Sequence, residues 1–390
     1  MLPRERVFAA LEHREADRIP WGEHSIDYNV YEDILGRETF VQAKMKETQA
    51  YWDGRRDEVV ESYKRDRLDL VQALEMDIVF VGGVTPKGHR PEPMEQLDEE
   101  TYRDKGGNVF RVSATTHDLM PYKRNVENYT PPTIEGLQEQ IDKLDEQSLG
   151  DPEDSRWELV RHAVAEMKET HFIMVTCGDL SFPGFGATEE ESWMSLVLQP
   201  EICTKVAELQ GKRIVREVEL YAQLGVDGIM PCGDLGSSTG LMASPEIYCE
   251  MVYPWHKAHS EAAHKYGLKI LKHCCGHTWP IINELAEVYD AYEAIQGTAG
   301  MDIGELKKRV GSEICLWGGI WHEHIILGDV EDIRADARYA FEHAASGGGF
   351  IMGSTHSLAV GAKPENILEM KRCRDEWGIY PIDPGRFVAV

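Results

Sequence analysis

Eight short apolar runs alternate with helical patterns along the chain, and this alternation limits the possible fold more than any other feature. Buried parallel strands are continuous apolar runs, and a strand followed by a helix is the repeating unit of a parallel sheet. Eight such units predict an α/β fold, the (β/α)8 TIM barrel. An open doubly wound sheet is the alternative, but no Gly-x-Gly-x-x-Gly follows the first run. The runs cover residues 18–24, 77–82, 172–177, 228–232, 269–275, 291–297, 314–319 and 349–353.

The interval after the second run is too long for a single crossover connection. Residues 84–166 fill it, and residues 102–115 within it predict a β-hairpin that turns at Gly106-Gly107. A helical pattern follows near residues 134–147. We interpret residues 84–166 as an insertion after strand 2 of a single barrel domain, residues 1–390. The first 17 residues predict a helix that covers the floor of the barrel.

The charge and the cysteine content limit the partners and the compartment. The chain has 68 acidic and 41 basic residues, a net charge of −27, which repels phosphate backbones and argues against nucleic acid as a partner. No basic cluster indicates an anionic membrane surface, and we find neither a transmembrane segment nor the apolar core of a secretory signal. Eight scattered cysteines are typical of reduced thiols, so we expect a cytoplasmic protein.

In a TIM barrel the chemistry lies at the C-terminal ends of the strands. The fourth run leads into a glycine-flanked loop, Gly233-Asp234-Leu235-Gly236, in which Asp234 either serves the active site or caps the next helix. We expect Asp234 and Glu23 to be catalytic. The side chains expected to contact substrate are His24, Tyr28, Cys177, Asp179, Gln296 and Trp317. The tryptophans that either line a cavity or pack in the core are Trp193, Trp279, Trp317 and Trp321.

The fifth run ends in His273-Cys274-Cys275. Residues i and i+2 of a strand point to the same face, so the imidazole and the second thiol converge and form half of a zinc site. The third ligand is expected from His356, after the eighth run, with Cys232, Asp234 and Glu23 as alternatives. The competing interpretation is a hydrogen-bonded core histidine beside a small buried cysteine.

Taken in order, several segments resemble the uroporphyrinogen decarboxylase superfamily, and the resemblance extends over nearly the whole chain. It implies a distorted (β/α)8 barrel. The segments are residues 4–11 (RERVFAAL), 17–20 (DRIP), 224–228 (LGVDG), 233–246, 272–276 (KHCCG), 317–319 (WGG), 348–351 (GGFI) and 364–366 (PEN).

The resemblance favours one branch of this superfamily. True decarboxylases carry an arginine-rich stretch after the first strand that binds the substrate's carboxylates, whereas residues 22–28 (GEHSIDY) contain no arginine and two acids. The other branch resembles zinc-dependent, corrinoid-linked methyltransferases such as methylcobamide:coenzyme M methyltransferases. Those enzymes use a His-x-Cys pair, matched by His273 and Cys275, and a cysteine near the end of the last strand. Residues 353–358 contain no cysteine and offer His356 instead.

This resemblance implies a methyltransferase that contains Zn²⁺ and moves a methyl group between a small substrate and a corrinoid, methylcobalamin, on a partner protein. The corrinoid is expected on a separate protein because the chain has no Asp-x-His-x-x-Gly signature. An imidazole in place of a thiolate leaves a more Lewis-acidic metal, which favours O-demethylation of a methoxylated compound over transfer to a thiol. Two alternatives stay open: a metal-free lyase that acts on a non-porphyrin carboxylic acid, and a non-catalytic partner subunit.

Overall fold

The computed structural model describes residues 1–127, 129–144 and 146–387. The strands are β1 (Ile78–Val81), β2 (Glu95–Gln96), β3 (Thr101–Arg103), β4 (Val109–Val112), β5 (Leu119–Lys123), β6 (Phe172–Cys177), β7 (Gly228–Pro231), β8 (Lys269–His273), β9 (Ala291–Glu293), β10 (Cys315–Ile320) and β11 (Phe350–Ser354). The α-helices are α1 (Pro3–Leu11), α2 (Tyr28–Leu35), α3 (Lys44–Trp52), α4 (Arg56–Leu74), α5 (Ile134–Leu144), α6 (Glu158–Met167), α7 (Glu189–Leu198), α8 (Pro200–Gln223), α9 (Pro245–Ile247), α10 (Tyr253–Lys265), α11 (Ile282–Val288), α12 (Ile303–Val310), α13 (His322–Leu327), α14 (Val330–Ala340) and α15 (Pro364–Trp377). Short 3₁₀ turns cover Ser155–Trp157, Trp279–Ile281, Gly297–Ala299 and Pro384–Arg386, and π turns cover Tyr248–Val252 and Phe341–Ala345.

Seven strands form one parallel sheet in the order β1-β6-β7-β8-β9-β10-β11. Strands that neighbour one another in the sheet are therefore also consecutive along the chain, apart from the interval between β1 and β6. A doubly wound sheet would reverse its order at a switch point, and this sheet does not. Helices follow each strand, so the predicted α/β barrel class is confirmed.

The first predicted strand, residues 18–24, is not a regular strand. It forms one parallel bridge, between Trp21 and Met352. The Met352 amide donates to the Pro20 carbonyl at 2.8 Å, and on the other side the Asp77 amide donates to the Trp21 carbonyl at 2.7 Å. Proline has no amide hydrogen, so a full ladder cannot form here. This extended segment nevertheless lies between β11 and β1 and closes the sheet.

Strands β8 and β9 end two or more residues earlier than the sequence predicted, and both carry residues of interest. Strand β8 ends at His273, so Cys275 lies in the following loop. Strand β9 ends at Glu293 rather than at Gly297. The chain turns at Gly276, whose φ of +81° lies in the left-handed region that glycine adopts without strain.

Helix α1 covers the N-terminal end of the barrel, as predicted. Its Val7 and Leu11 pack in one cluster with Phe172 and Leu271, which mark the inward-facing positions of β6 and β8. On its other face, Arg6 pairs with Asp77 at 2.9 Å, at the start of β1. Apolar packing and an ion pair together fix this helix across the floor of the barrel.

The interval after β1 contains the predicted hairpin. Strands β3 and β4 pair in antiparallel register and turn through Gly107, at φ +81°. They belong to a four-stranded antiparallel sheet with β2 and β5, which the sequence analysis missed because β2 has two residues and β5 contains Pro121. Helix α5 is present, whereas α6 packs against β1 and β6 as the crossover helix between them. None of the helices in the described residues is both long and apolar enough to span a membrane.

Trp317 was expected to contact substrate, and this expectation is wrong. Its side chain lies in the barrel interior with 1% exposed, in the same cluster as Leu11 and Phe172. Its indole donates to the Gly22 carbonyl at 3.0 Å, and a Cβ at Gly353 would lie 2.5 Å from that nitrogen. The ring therefore packs beneath the mouth of the barrel.

We expect the Trp317→Phe substitution to lower the free energy of unfolding by about 1–3 kcal/mol, because it removes a buried hydrogen bond and leaves a cavity. Urea denaturation measures this change. Trp193→Phe, at a partly exposed ring on α7, is the matched control and should change the stability by less than about 0.5 kcal/mol. Unchanged stability with weakened substrate binding would instead restore Trp317 as a substrate contact.

Candidate metal centre

A buried carboxylate, Glu293, holds two imidazoles at the C-terminal end of the sheet. Glu293 at the end of β9 is in register with His273 at the end of β8. One carboxylate oxygen accepts a hydrogen bond from His273 Nδ1, and the other accepts from His24 Nδ1 at 3.0 Å. The centroids of the two rings are 4.2 Å apart. With Nδ1 occupied in this way, each ring keeps Nε2 free for another partner.

The Glu293 carboxylate and the His24 imidazole each favour the charged form of the other. Burial alone would raise the pKa of the Glu293 carboxyl, but the His24 and His273 rings outweigh it and lower this pKa to about 2. Burial opposes the charged form of His24, yet Glu293 outweighs it and raises the pKa of that imidazole. The carboxylate is therefore ionised and accepts from both rings.

Asp234 and Cys275 meet His273 on the side away from Glu293. The Asp234 carboxylate accepts from the Cys275 amide at 3.1 Å and lies 3.9 Å from His273 Nε2. One side-chain ligand atom from each of Asp234, His273 and Cys275 lies within 4.8 Å of the other two. Thiol, imidazole and carboxylate are the ligand types that zinc prefers. Burial and then Asp234 raise the pKa of the Cys275 thiol to about 12, so only a nearby cation would make it a thiolate at neutral pH.

The expected third ligand, His356, lies at the same mouth but outside this group. Its ring centroid is 6.1 Å from that of His273 and 5.3 Å from that of His322, and its Nδ1 is 3.0 Å from the Ser357 hydroxyl. Burial and the neighbouring histidines lower the pKa of His356. In the described chain the third position beside His273 and Cys275 is taken by Asp234, which was one of the alternatives.

Glu23 does not face this group. Its carboxylate accepts from the Trp21 indole at 2.9 Å and from the Ser354 hydroxyl at 2.6 Å, which ties the closing segment to β11. Burial raises the pKa of Glu23 to about 7. A carboxyl group with 5% exposure and these partners acts as an anchor, so its expected catalytic role does not fit this placement.

Cys177 and Asp179 were expected to contact substrate, but both side chains are directed away from the group around His273. Phe172 and Met174 mark the inner face of β6, so alternation turns Cys177 towards the helices, where burial raises the pKa of its thiol. The Asp179 carboxylate pairs with the buried ammonium of Lys272. Burial would raise the pKa of Asp179, but Lys272 outweighs it and keeps this pKa well below its usual range.

The remaining expected contacts lie around the mouth. His24 belongs to the Glu293 group described above. Gln296 accepts from the Gly276 amide at 3.0 Å, so it holds the loop that follows Cys275. The Tyr28 hydroxyl lies 3.2 Å from Nδ1 of His117 in the β4–β5 turn, so its partner is the inserted sheet rather than the group of Asp234, His273 and Cys275.

Sequence reasoning missed Glu293 and Lys272. Both are charged residues inside apolar runs, residues 291–297 (AYEAIQG) and 269–275 (KILKHCC). A charge in a buried strand costs free energy unless a partner compensates it, and this cost was the available signal.

Two of the four tryptophans named above line cavities. Trp321 lines a cavity of about 460 Å³ between the loops that follow β9 and β10. Trp193 lines a wider groove of about 880 Å³ between α7 and the segment after β5. Both openings lie beside, rather than in, the group around His273.

The fold and this group define an α/β-barrel protein with a candidate metal centre at the C-terminal ends of its strands. A family model described as "Uroporphyrinogen decarboxylase (URO-D)" matches residues 132–377, well over half of the chain. The chain belongs to this family.

Solved structures agree on the fold. A methyltransferase from Methanosarcina mazei is 16% identical with a TM-score of 0.64, and the alignment covers 96% of this chain and 99% of that one. At this identity the likeness shows the fold alone. D-psicose 3-epimerase from Clostridium cellulolyticum H10 is a weaker match, with 10% identity and a TM-score of 0.35, covering 60% of this chain and 84% of that one. No curated protein matches this sequence.

We expect Glu293→Gln to weaken zinc binding about 10- to 100-fold, because a neutral amide orients the His273 ring less well than a carboxylate does. Competition with a chelator measures the dissociation constant. Glu323→Gln, which changes a carboxylate that accepts from the Thr298 hydroxyl at 3.0 Å near the same mouth, is the control and should have no effect. Equal affinity of wild type and Glu293→Gln would show that Glu293 does not support a metal ligand.

Proposed function

We propose that this protein is a zinc-dependent methyltransferase that moves a methyl group between a small substrate and a corrinoid on a partner protein. The observation that carries the proposal is the convergence of Asp234, His273 and Cys275 at the C-terminal end of the barrel. Family membership and the resemblance of the His273–Cys275 pair to corrinoid-linked methyltransferases support it.

The residues present fit a zinc ion. His273 offers Nε2 because Glu293 occupies Nδ1, and Cys275 offers a sulfur beside it. Asp234 supplies the third ligand, with His356 as the alternative. Three protein ligands with one open position are typical of catalytic zinc sites, whereas structural sites are closed by four.

Bound zinc supplies Lewis acidity, which either polarises the oxygen of a methoxy donor or lowers the pKa of a thiol acceptor. A carboxylate oxygen donates less electron density to zinc than a thiolate sulfur does, so this set leaves the metal more Lewis-acidic than a set with two thiolates. This set therefore favours the methoxylated donor and O-demethylation. The residues around it keep the imidazoles oriented through Glu293 and hold the Cys275 loop through Gln296.

The charge around the mouth argues against a porphyrinogen decarboxylase. Residues 22–28 contain no arginine, and the nearby Lys44 is paired with Asp27 at 2.6 Å. Glu293 and Asp234 add negative charge. A polyanionic porphyrinogen would be repelled here. A metal-free lyase that acts on a smaller carboxylic acid is the alternative function.

The corrinoid is proposed on a partner because this chain lacks a corrinoid-binding signature. A net charge of −27 suits a partner with a basic docking face, since complementary charge accelerates association. We propose no nucleic-acid or membrane partner, and we place the reaction in the cytoplasm.

The first test is the metal content. We expect about one zinc ion per chain in the purified wild type and none in His273→Ala or Cys275→Ala, because each substitution removes a ligand. Cys249→Ala, at an exposed cysteine in the turn after α9, is the matched control and should keep the metal. A metal-free wild type that releases carbon dioxide from a carboxylic acid would favour the lyase.

The second test is the direction of methyl transfer. We expect methylation of cob(I)alamin with methoxylated aromatic donors, and little transfer from methylcobalamin to thiols, followed by the visible absorption of the corrinoid. Cys275→Ala should lower the rate at least about 100-fold, since one zinc ligand is lost. Rapid thiol methylation without donor demethylation would reverse the proposed direction.

A further inference from the structure

Lys272 lies next to His273 on β8 but points the opposite way. Leu271 belongs to the interior cluster of the barrel, so alternation directs the Lys272 ammonium outwards under the helices. No part of this side chain is exposed. A buried ammonium is unfavourable unless a partner compensates its charge.

The contacts of Lys272 converge on one glycine. Its ammonium pairs with the Asp179 carboxylate and donates to the Gly233 carbonyl at 2.6 Å. The same Asp179 carboxylate accepts from the Gly233 amide at 2.5 Å. The ion pair therefore binds both backbone polar groups of Gly233, and we call this arrangement the Gly233 clamp.

Only glycine allows this approach. A Cβ built at Gly233 would lie 2.8 Å from one Asp179 carboxylate oxygen and 3.2 Å from its Cγ. Any side chain here would push the carboxylate away from the backbone amide.

The residue after Gly233 is Asp234, whose side chain is 45% exposed. Its carboxylate accepts from the Cys275 amide at 3.1 Å and lies 3.9 Å from His273 Nε2. A half-exposed side chain has few neighbours that limit its motion, so its place beside His273 depends on the backbone that carries it. That backbone is the one that the clamp holds.

We propose that Lys272 and Asp179 are positioning residues. Through the Gly233 clamp they keep the Asp234 carboxylate close enough to His273 and Cys275 for all three to bind one cation. The clamp thereby sets how tightly the centre binds that cation. This inference rests on the proposed zinc centre. The inference gives Asp179 a role different from the substrate contact that the sequence suggested. It also means that a residue on the outer face of β8, Lys272, affects the metal centre on the inner face.

The test removes the whole ion pair, because a single substitution would leave one buried charge without a partner. The double variant Lys272→Met/Asp179→Leu keeps similar volumes. We expect zinc to bind about 10- to 100-fold more weakly in chelator competition. We also expect a changed visible spectrum of the Co²⁺-substituted protein, which reports the ligands of the metal directly.

A second comparison separates positioning from general stability. In an Asp234→Ala background the double substitution should weaken zinc binding no further, because the clamp acts through Asp234. The control is Asp66→Asn, which disturbs a buried carboxylate paired with Arg37 at 2.7 Å on the α4 side of the barrel. It should lower the thermal unfolding midpoint and leave the Co²⁺ spectrum unchanged.

If the double variant kept the zinc affinity and the Co²⁺ spectrum of the wild type, the positioning role of the clamp would be overturned and the proposed function would stay intact. An equal further loss in the Asp234→Ala background would also overturn it. A wild type that binds no zinc would remove the proposed function and the clamp together, so the wild-type measurement tells the two failures apart. Should the double variant not fold, Gly233→Ala is expected to weaken zinc binding in the same direction, and unchanged affinity there would contradict the proposal.

Discussion

The site depends on one buried carboxylate that two histidines share. Glu293 can hold His273 only because β8 and β9 are parallel neighbours in this register, and it can hold His24 only because the segment after Pro20 closes the barrel beside β11. Ionic hydrogen bonds in a dry interior are stronger than neutral ones and fix both rings through Nδ1. The direction in which Nε2 of each ring points follows from this arrangement.

Much of the fold could be predicted from local sequence. Strand β6 agrees at both ends with its apolar run, and the hairpin of β3 and β4 turns at the expected Gly106-Gly107, because burial and turn geometry are local properties. The closing segment is one exception. Pro20 interrupts its hydrogen-bond ladder. This apolar run therefore occupies the place of a strand in the barrel without forming a regular strand.

The site was harder to predict than the fold. The position of a residue along a strand gives its height in the barrel but not whether its side chain points inwards or outwards. Counting alternation from interior residues separates the two: Leu271 and His273 face inwards, and Lys272 faces outwards. The same count places Trp317 in the interior beneath the mouth and turns Cys177 towards the helices. Partners on neighbouring strands, such as Glu293 for His273, are far apart in the sequence. The only local sign of such a partner is a charged residue within an apolar run.

In the proposed zinc centre the outer and inner faces of β8 therefore have different roles. On the inner face, Glu293 orients His273; on the outer face, the ion pair of Lys272 and Asp179 holds the backbone that carries Asp234. A carboxylate ligand on a partly exposed loop is held less rigidly than a second cysteine on a strand would be. It also donates less electron density to a cation. In the proposed zinc centre this ligand set would make the metal more Lewis-acidic but would need a buried clamp to stay assembled. That need would account for a fully buried lysine next to His273.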